Sequence, residues 1–170
     1  MGAGGEVLVG VAAPGLSAPG LSVRYAVLDV DTVEATEFVD VTGLIEEAIA
    51  RCGLVEGVAA VQTHHTTTGL LVNECEPGLL EDLARMFERV ARADGLYRHD
   101  DLDTRTVNVH PGERRNGHAH CRAALLRTTE WLIVRGGALA LGRWQRLFLV
   151  EFDGGQRRRL SLVLMGRFAG

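Results

Sequence analysis

The chain has no lysine, because all 18 of its basic residues are arginine. It therefore lacks the side chain that forms Schiff bases, binds phosphate in a Walker-type loop or acts as a lysine general base. Serine is almost as scarce: the three serines are Ser17, Ser22 and Ser161, and none lies in a Gly-x-Ser-x-Gly motif. The lack of such a motif argues against the nucleophile elbow of a serine hydrolase.

Cysteine is also rare in this sequence. Cys52, Cys75 and Cys121 are odd in number and widely spaced, and no Cys-x-x-Cys pair occurs. This pattern is typical of free thiols in a reducing compartment rather than of a disulfide framework or a thiolate zinc site. We therefore expect a cytoplasmic protein.

Long apolar runs are missing as well, since no segment approaches the ~18–20 residues of a membrane span. The segment from Val7 to Leu21 is apolar, but the first arginine is Arg24, so the basic start of a signal peptide is absent. We interpret residues 1–22 as a loose leader and residues 23–170 as a single α+β domain.

Composition places the chain among ordinary globular proteins, with 46% hydrophobic and 24% charged residues in a length of 170. The net charge of −4 argues against a dedicated nucleic-acid binder, which usually carries a basic surface. One basic run, Arg157 to Arg159, is interpreted as the solvated end of a strand. We expect neither a nucleic-acid nor a membrane partner.

Hydrophobic periodicity predicts short strands separated by three helical segments. Thr42 has the position of an N-cap and Gly53 that of a C′ residue for the first helix. The predicted helices lie within 42–53, 77–90 and 119–127; the predicted strands are 23–30, 36–41, 55–62, 70–73, 131–135, 138–141, 144–152 and 159–166. Closely spaced strands with tight turns are antiparallel, so we predict an α+β fold of antiparallel sheets packed with two or three helices.

The densest polar segment runs from His64 to Glu74 and follows a predicted core strand. It contains two imidazoles, three threonine hydroxyls, an amide and a carboxylate. Buried polar groups are costly unless they form hydrogen bonds or bind a metal. The segment is therefore interpreted as part of a functional site.

Three histidines, His65, His99 and His120, are the candidate metal ligands, because imidazole is the commonest metal-binding side chain. Their spacing alone is a weak signal, and histidines in ordinary hydrogen bonds are the simpler alternative. His118 is kept as an alternate ligand. The polar side chains expected near these histidines are Glu74, Asp82, Asp100 and Asn116, and the expected phosphate-binding groups are Thr66, Thr67, Thr68, Arg98, Arg114 and Arg115.

Two of these carboxylates have plainer interpretations. Asp82 lies on the outer flank of a predicted helix, where most carboxylates are simply exposed. Glu74 could stabilise the N-terminus of the helix that begins at Pro77. Thr66 to Thr68 could likewise be no more than a tract of residues that favour strands.

The order of the motifs resembles the YjbQ-like family, also called the secondary thiamine-phosphate synthase enzyme family. The matching segments are Phe38–Thr42, His65-Thr66-Thr67, Gly69-Leu70, Asn73-Glu74, Asp82-Leu83, Tyr97–Asp100, Asn116, Ala119-His120, Gly137–Gln145 and Glu151–Gly154 with Arg158 or Arg159. The resemblance covers nearly the whole chain from about Thr36 onward.

This resemblance implies a homotrimer with a metal-binding histidine cluster at His65, His99 and His120. It implies a divalent cofactor, with zinc as the first expectation and magnesium as the alternative. The implied catalytic residues are His65, Glu74, Asp82 and Asn116; those implied to bind the ligand are Thr66, Thr67 and Arg98. Three departures from the family pattern, Thr68, Arg143 and a long loop at residues 101–115, would alter substrate choice if they faced the pocket.

The predicted function is that of a thiamine-phosphate-synthase-like enzyme acting on phosphorylated small molecules. Such an enzyme joins a phosphorylated thiazole to a pyrimidine pyrophosphate and releases pyrophosphate. One alternative is a non-catalytic trimeric protein that binds a metal or an anion. The other is a metal-dependent hydrolase in which the three histidines activate a water molecule and Glu74 is the base.

Overall fold

Two antiparallel sheets form the framework of the computed structural model, which describes residues 5–8 and 22–170. The strands are β1 (Gly5–Leu8), β2 (Ser22–Asp31), β3 (Glu37–Asp40), β4 (Leu54–Thr63), β5 (Thr68–Glu74), β6 (Thr129–Arg135), β7 (Ala138–Leu139), β8 (Gln145–Glu151) and β9 (Arg157–Phe168). The larger sheet has the order β1-β2-β9-β4-β6-β7, and the smaller one has the order β3-β8-β5.

Three α-helices accompany the sheets: α1 (Thr42–Cys52), α2 (Pro77–Val90) and α3 (Gly117–Ala123). A single 3₁₀ turn, Arg98–Asp100, interrupts the long connection between α2 and α3. The prediction of an α+β fold built on antiparallel sheets is confirmed. Among the residues described, no helix is long and apolar enough to cross a bilayer.

The smaller sheet is buried on both of its faces. Its first face packs with α1 against the larger sheet, and this core contains Leu147 and Leu149 of β8. Its second face, with Phe148 and Val150, packs against α2 and α3. Burial on both faces explains why residues 147–150 of β8 are all apolar instead of alternating between apolar and polar residues.

The first turn of α1 corrects one detail of the prediction. Thr42 is the first helical residue, and its hydroxyl accepts a hydrogen bond from the Leu147 amide (2.8 Å) instead of capping the helix. The side chain of Asp40 accepts from the Thr42 amide (2.9 Å). Gly53 follows the helix with φ = 71°, the left-handed conformation predicted for a C′ glycine.

Helix α2 has the predicted bounds, and only a narrow stripe of its apolar side chains is buried. Phe87 is buried, whereas Met86 and Val90 are 44% and 61% exposed. The three-stranded sheet beneath the helix is narrow. It therefore covers mainly one row of side chains along the helix, which contains Leu80, Leu83 and Phe87.

The N-terminus of α2 is capped by Glu76 rather than stabilised by Glu74. The Glu76 carboxylate accepts hydrogen bonds from the amides of Gly78 (2.8 Å) and Leu79 (2.7 Å). These contacts satisfy two amides that have no partner within the helix.

The predicted leader is only partly described. Residues 5–8, within it, pair with β2 as an edge strand. Residues 1–4 and 9–21 lie outside the described residues. The division of the chain at residue 22 therefore stays a prediction.

Candidate functional site

A cavity of about 330 Å³ lies where the β4–β5 turn meets the start of β9. We call it the strand-end pocket. Its lining residues are Asp29, His64, His65, Arg157, Arg158 and Arg159. The pocket combines imidazoles with three guanidinium groups, which is the chemistry suited to a small anion.

Arg158 is the buried member of the arginine run. Its guanidinium forms an ion pair with the fully buried carboxylate of Glu151 and donates to the Thr67 hydroxyl (3.2 Å). The carboxylate of Glu151 also accepts from the Thr32 hydroxyl (3.1 Å). The interpretation of this run as a solvated strand end therefore holds for Arg157 and Arg159, which are exposed, but is wrong for Arg158, because a charge at this depth requires the partner that Glu151 provides.

Asp29 organises the two outer arginines. Its carboxylate accepts from Arg159 Nε (2.9 Å) and from Arg157 Nη2 (3.2 Å). The hydrogen bond from Arg159 holds the pKa of Asp29 below its usual value. Both arginine side chains remain more than half exposed, so their guanidinium groups can reach a further anion.

His65 has a defined tautomer in this pocket. Its Nε2 atom accepts a hydrogen bond from the backbone amide of Arg159 (2.9 Å). Because a backbone amide only donates, the proton of the neutral imidazole lies on Nδ1. Burial, and then the nearby charge of Arg158, lower the pKa of His65 and keep the ring neutral. His65 therefore presents Nδ1–H as a donor.

The threonines that follow His65 are divided between interior and surface. Thr67 and Thr68 are buried, and their hydroxyls bond to Arg158 and to the Thr63 hydroxyl (2.5 Å), respectively. Thr66 is exposed. The role of Thr66 and Thr67 in ligand binding stays a prediction, and Thr66 is the one whose side chain faces solvent.

A second pair of histidines consists of His99, in the connection between α2 and α3, and His120, in α3. The rings of His99 and His120 are in edge contact, with centroids 4.5 Å apart. Burial, and then the neighbouring His99, lower the pKa of His120, whose ring also bonds to the Thr66 backbone. We call His99, His120, Arg105 and Glu113 the loop cluster.

His99 is held by the loop that follows it. Arg105 Nη1 donates to His99 Nε2 (2.9 Å) and to the His99 carbonyl (2.7 Å). Arg105 also forms an ion pair with Glu113, and both side chains are mostly buried. Since a guanidinium only donates, the neutral His99 ring also carries its proton on Nδ1.

The start of α3 connects the two regions. Asn116 Nδ2 donates to Asp153 Oδ2 (3.1 Å), whereas Asn116 Oδ1 and His118 Nδ1 are buried and have no hydrogen-bond partner within residues 5–8 and 22–170. The Gly117 amide donates to Asp100 Oδ1 (2.8 Å). A Cβ at Gly117 would lie 2.5 Å from the Tyr97 Cβ, so only glycine allows this close approach.

Several predicted site residues lie outside the strand-end pocket. Glu74 is exposed at the far end of β5, about 20 Å along the strand from Thr68, which contacts the His65 carbonyl. Asp82 is exposed on α2 and pairs with Arg85 (3.3 Å). Arg98 is exposed on the 3₁₀ turn. Within one chain, then, the carboxylates predicted to be catalytic are not gathered around His65.

The three predicted metal ligands do not form a metal site within a single chain. Nε2 of His65 and Nε2 of His99 already accept hydrogen bonds, so neither lone pair is free for a metal. In the part of the chain that the structure describes, no group of three or more His, Cys, Asp or Glu is placed to hold an ion. A metal bound in an assembly of chains stays a prediction.

Important residues of both regions were not identified from the sequence. Glu151 and Arg158 were part of a matching motif but had no assigned role, and Asp29 and Arg105 were not singled out. Asp29 could have been recognised as a site residue, because it is a carboxylate within an otherwise apolar strand. Arg105 gave none, because it lies in a loop without periodicity.

Comparison with known proteins supports the family resemblance. Residues 26–167 match the family model described as UPF0047 protein YjbQ-like. The UPF0047 protein of Archaeoglobus fulgidus is 39% identical over 134 residues, which are 78% of this chain and 94% of that protein. The UPF0047 protein YugU of Bacillus subtilis is 29% identical over 141 residues, covering 82% of this chain and 97% of its own length.

Solved structures agree with the sequence comparison. A YbjQ-like protein of unknown function from Sulfolobus solfataricus superposes with a TM-score of 0.76 and 28% identity, covering 86% of this chain and 99% of that one. A hypothetical protein from Aeropyrum pernix gives a TM-score of 0.72 and 32% identity, covering 82% and 96%.

Proposed function

The chain belongs to the YjbQ-like UPF0047 family, and from this premise we propose that it is an enzyme that binds a phosphorylated small molecule in the strand-end pocket. Its proposed reaction is a thiamine-phosphate-synthase-like transfer, in which a phosphorylated thiazole joins a pyrimidine pyrophosphate and pyrophosphate leaves.

The observation that carries this proposal is the donor set around His65. The ring offers Nδ1–H, because Arg159 donates to its Nε2. The half-exposed Arg157 and Arg159 share the single carboxylate of Asp29. One positive charge is therefore left over, and guanidinium and imidazole N–H groups are the donors that bind phosphate oxygens well.

These donors also suit the chemistry of the transfer. When the bond to pyrophosphate breaks, negative charge develops on the leaving oxygen. Arg157 and Arg159, placed before the reaction begins, would neutralise that charge without reorganising solvent. The buried Arg158–Glu151 pair would keep the adjacent start of β9 in place.

The test is an assay for pyrophosphate release by the purified protein. We expect release only when the thiazole phosphate and the pyrimidine pyrophosphate are supplied together. Release from the pyrimidine pyrophosphate alone would favour the hydrolase. No release, with zinc or magnesium added in turn, would contradict the proposed enzyme.

The second candidate is a non-catalytic protein that binds an anion. It is favoured by the position of Glu74 and Asp82. Both side chains are exposed, and Asp82 pairs with Arg85 rather than with a histidine. In that case phosphate would bind with no turnover of either precursor. A divalent ion stays a prediction here, and elemental analysis of protein purified without an affinity tag would test it.

A homotrimer is also part of the proposal, and the outer face of the larger sheet supports it. Tyr25, Trp131 and Ile133 are 46%, 63% and 64% exposed on that face. Register places Tyr25 opposite Val163, and Val163 and Trp131 both opposite Ala60. An apolar surface of this kind is typical of a contact between subunits.

Mass measurement in solution tests this part. We expect three times the chain mass of 18.4 kDa. Trp131→Glu should dissociate the assembly, whereas Val33→Glu, at a residue 78% exposed outside the larger sheet, should not. A wild-type mass equal to that of one chain would contradict the trimer.

A further inference from the structure

The loop between the 3₁₀ turn and α3 is organised around one guanidinium group. The Arg105 side chain is 14% exposed and that of Glu113 is 16% exposed. Nη2 of Arg105 donates to the Asn108 carbonyl (3.1 Å) and to the Glu113 carboxylate, while Nη1 holds His99. Asn108 has φ = 54°, a left-handed conformation that is uncommon outside glycine.

This arrangement leaves His99 one acceptor and one donor, with the roles fixed. Arg105 Nη1 lies 2.9 Å from His99 Nε2 and remains protonated at any physiological pH. His99 Nε2 must therefore accept, and Nδ1 must carry the proton. A metal ion that needed the Nε2 lone pair would have to displace the guanidinium.

We propose that Arg105 is a positioning residue that closes the 101–115 loop as a latch, fixes His99 as an Nδ1–H donor and withholds Nε2 from divalent metal ions. The inference rests on the proposed function, because His120 bonds to the backbone of Thr66, the residue after His65 of the strand-end pocket. It specifies what the adjoining loop cluster offers to an anionic ligand: a hydrogen-bond donor instead of a metal ligand.

The closed latch has one unsatisfied group. Arg105 Nε is buried and has no hydrogen-bond partner among the described residues. A buried donor without a partner weakens the closed arrangement. If Arg105 released His99, the imidazoles of His99 and His120, already in edge contact, would offer two ligands to a zinc ion.

Nitrogen-resolved NMR of the imidazoles tests the latch directly, without any substitution. At about pH 8 we expect His99 to show a protonated Nδ1 and an unprotonated Nε2, because Arg105 donates to Nε2. A protonated Nε2 in the wild-type protein would overturn the proposal. Arg105→Lys should retain the wild-type pattern, since an ammonium group also only donates.

Zinc titration supplies the second measurement. We expect Arg105→Ala to bind zinc about tenfold more tightly than wild type, because the competing donor is gone. The gain should vanish when His99→Ala is added. Arg115→Ala, an exposed arginine of the same loop, is the matched control and should bind zinc like wild type.

Glu113→Gln covers the case in which Arg105→Ala fails to fold, since it weakens the anchor of Arg105 while keeping the side-chain shape. Like Arg105→Ala, this variant should bind zinc more tightly than wild type. Unchanged affinity in both variants would overturn the latch. The NMR and zinc measurements of the latch use phosphate-free protein, whereas phosphate titration tests the strand-end pocket. The two proposals can therefore fail independently.

Discussion

The strand-end pocket and the loop cluster each hold a histidine in the same tautomer, but the hydrogen-bond donor that fixes it differs between them. In both, a histidine accepts through Nε2 and therefore carries its proton on Nδ1. The donor to His65 is the backbone amide of Arg159 in a regular strand, which substitution of side chains cannot remove. The donor to His99 is the Arg105 side chain. One region is therefore fixed by the fold, whereas the other can be opened.

This difference predicts unequal costs when each ion pair is broken. Glu151→Ala would leave Arg158 charged and buried without its partner, and should lower the free energy of unfolding by about 3–5 kcal/mol. Glu113→Ala should cost only about 1 kcal/mol, because the loop can expose Arg105 to water. Urea denaturation measures both. Equal losses would show that the loop cluster is as much a part of the core as the strand-end pocket.

A smaller effect is expected from filling the contact between the 3₁₀ turn and α3. In Gly117→Ala the new methyl would meet the Tyr97 Cβ and Cγ, which should cost about 1–3 kcal/mol and separate His99 from His120. Gly43→Ala is the control: that glycine lies in α1 with open space around it, so alanine should stabilise by up to ~1 kcal/mol. A Gly117→Ala protein as stable as wild type would contradict the tight packing of the loop cluster.

The smallest expected effect is a pH dependence common to both regions. The pKa values of His65 and His120 are lowered in the folded protein, chiefly by burial. As the pH falls through ~6.5, the unfolded chain takes up protons that the folded chain does not, so the free energy of unfolding falls. Above that pH the two states bind equal numbers of protons at these groups, and the full stability is present.

Two variants separate the contributions to this slope. His65→Gln can still accept from the Arg159 amide and should reduce the dependence of stability on pH between about 5 and 7. Val107→Thr alters an exposed side chain that does not titrate and should leave this dependence unchanged. Identical slopes in wild type and His65→Gln would remove His65 from the account.

The sequence predicted the elements better than it predicted the site. Pro77–Val90 was placed without error because its apolar period and its proline are local signals. The burial of Arg158 was not foreseen, because it depends on the carboxylate of Glu151 and on the hydroxyl of Thr67, which is 91 residues away in the chain. Trp144 lies in an apolar part of the sequence, yet it is 61% exposed with Arg143 over its ring.

The availability of a histidine nitrogen is likewise a property of the folded chain. His65 and His99 were identified as residues of interest from their motifs, but the sequence contains no sign that Nε2 of each is already engaged. For His65 the donor is an amide 94 residues away in the chain. For His99 it is an arginine in a segment with no regular pattern.

Calorimetric titration with inorganic pyrophosphate in the presence of a chelator shows whether the strand-end pocket binds an anion without a metal. We expect metal-free wild-type protein to bind pyrophosphate, and the double variant Arg157→Ala/Arg159→Ala to bind it at least about tenfold more weakly. Binding that appears only after zinc or magnesium is restored would contradict the claim that arginine and imidazole N–H donors make the site.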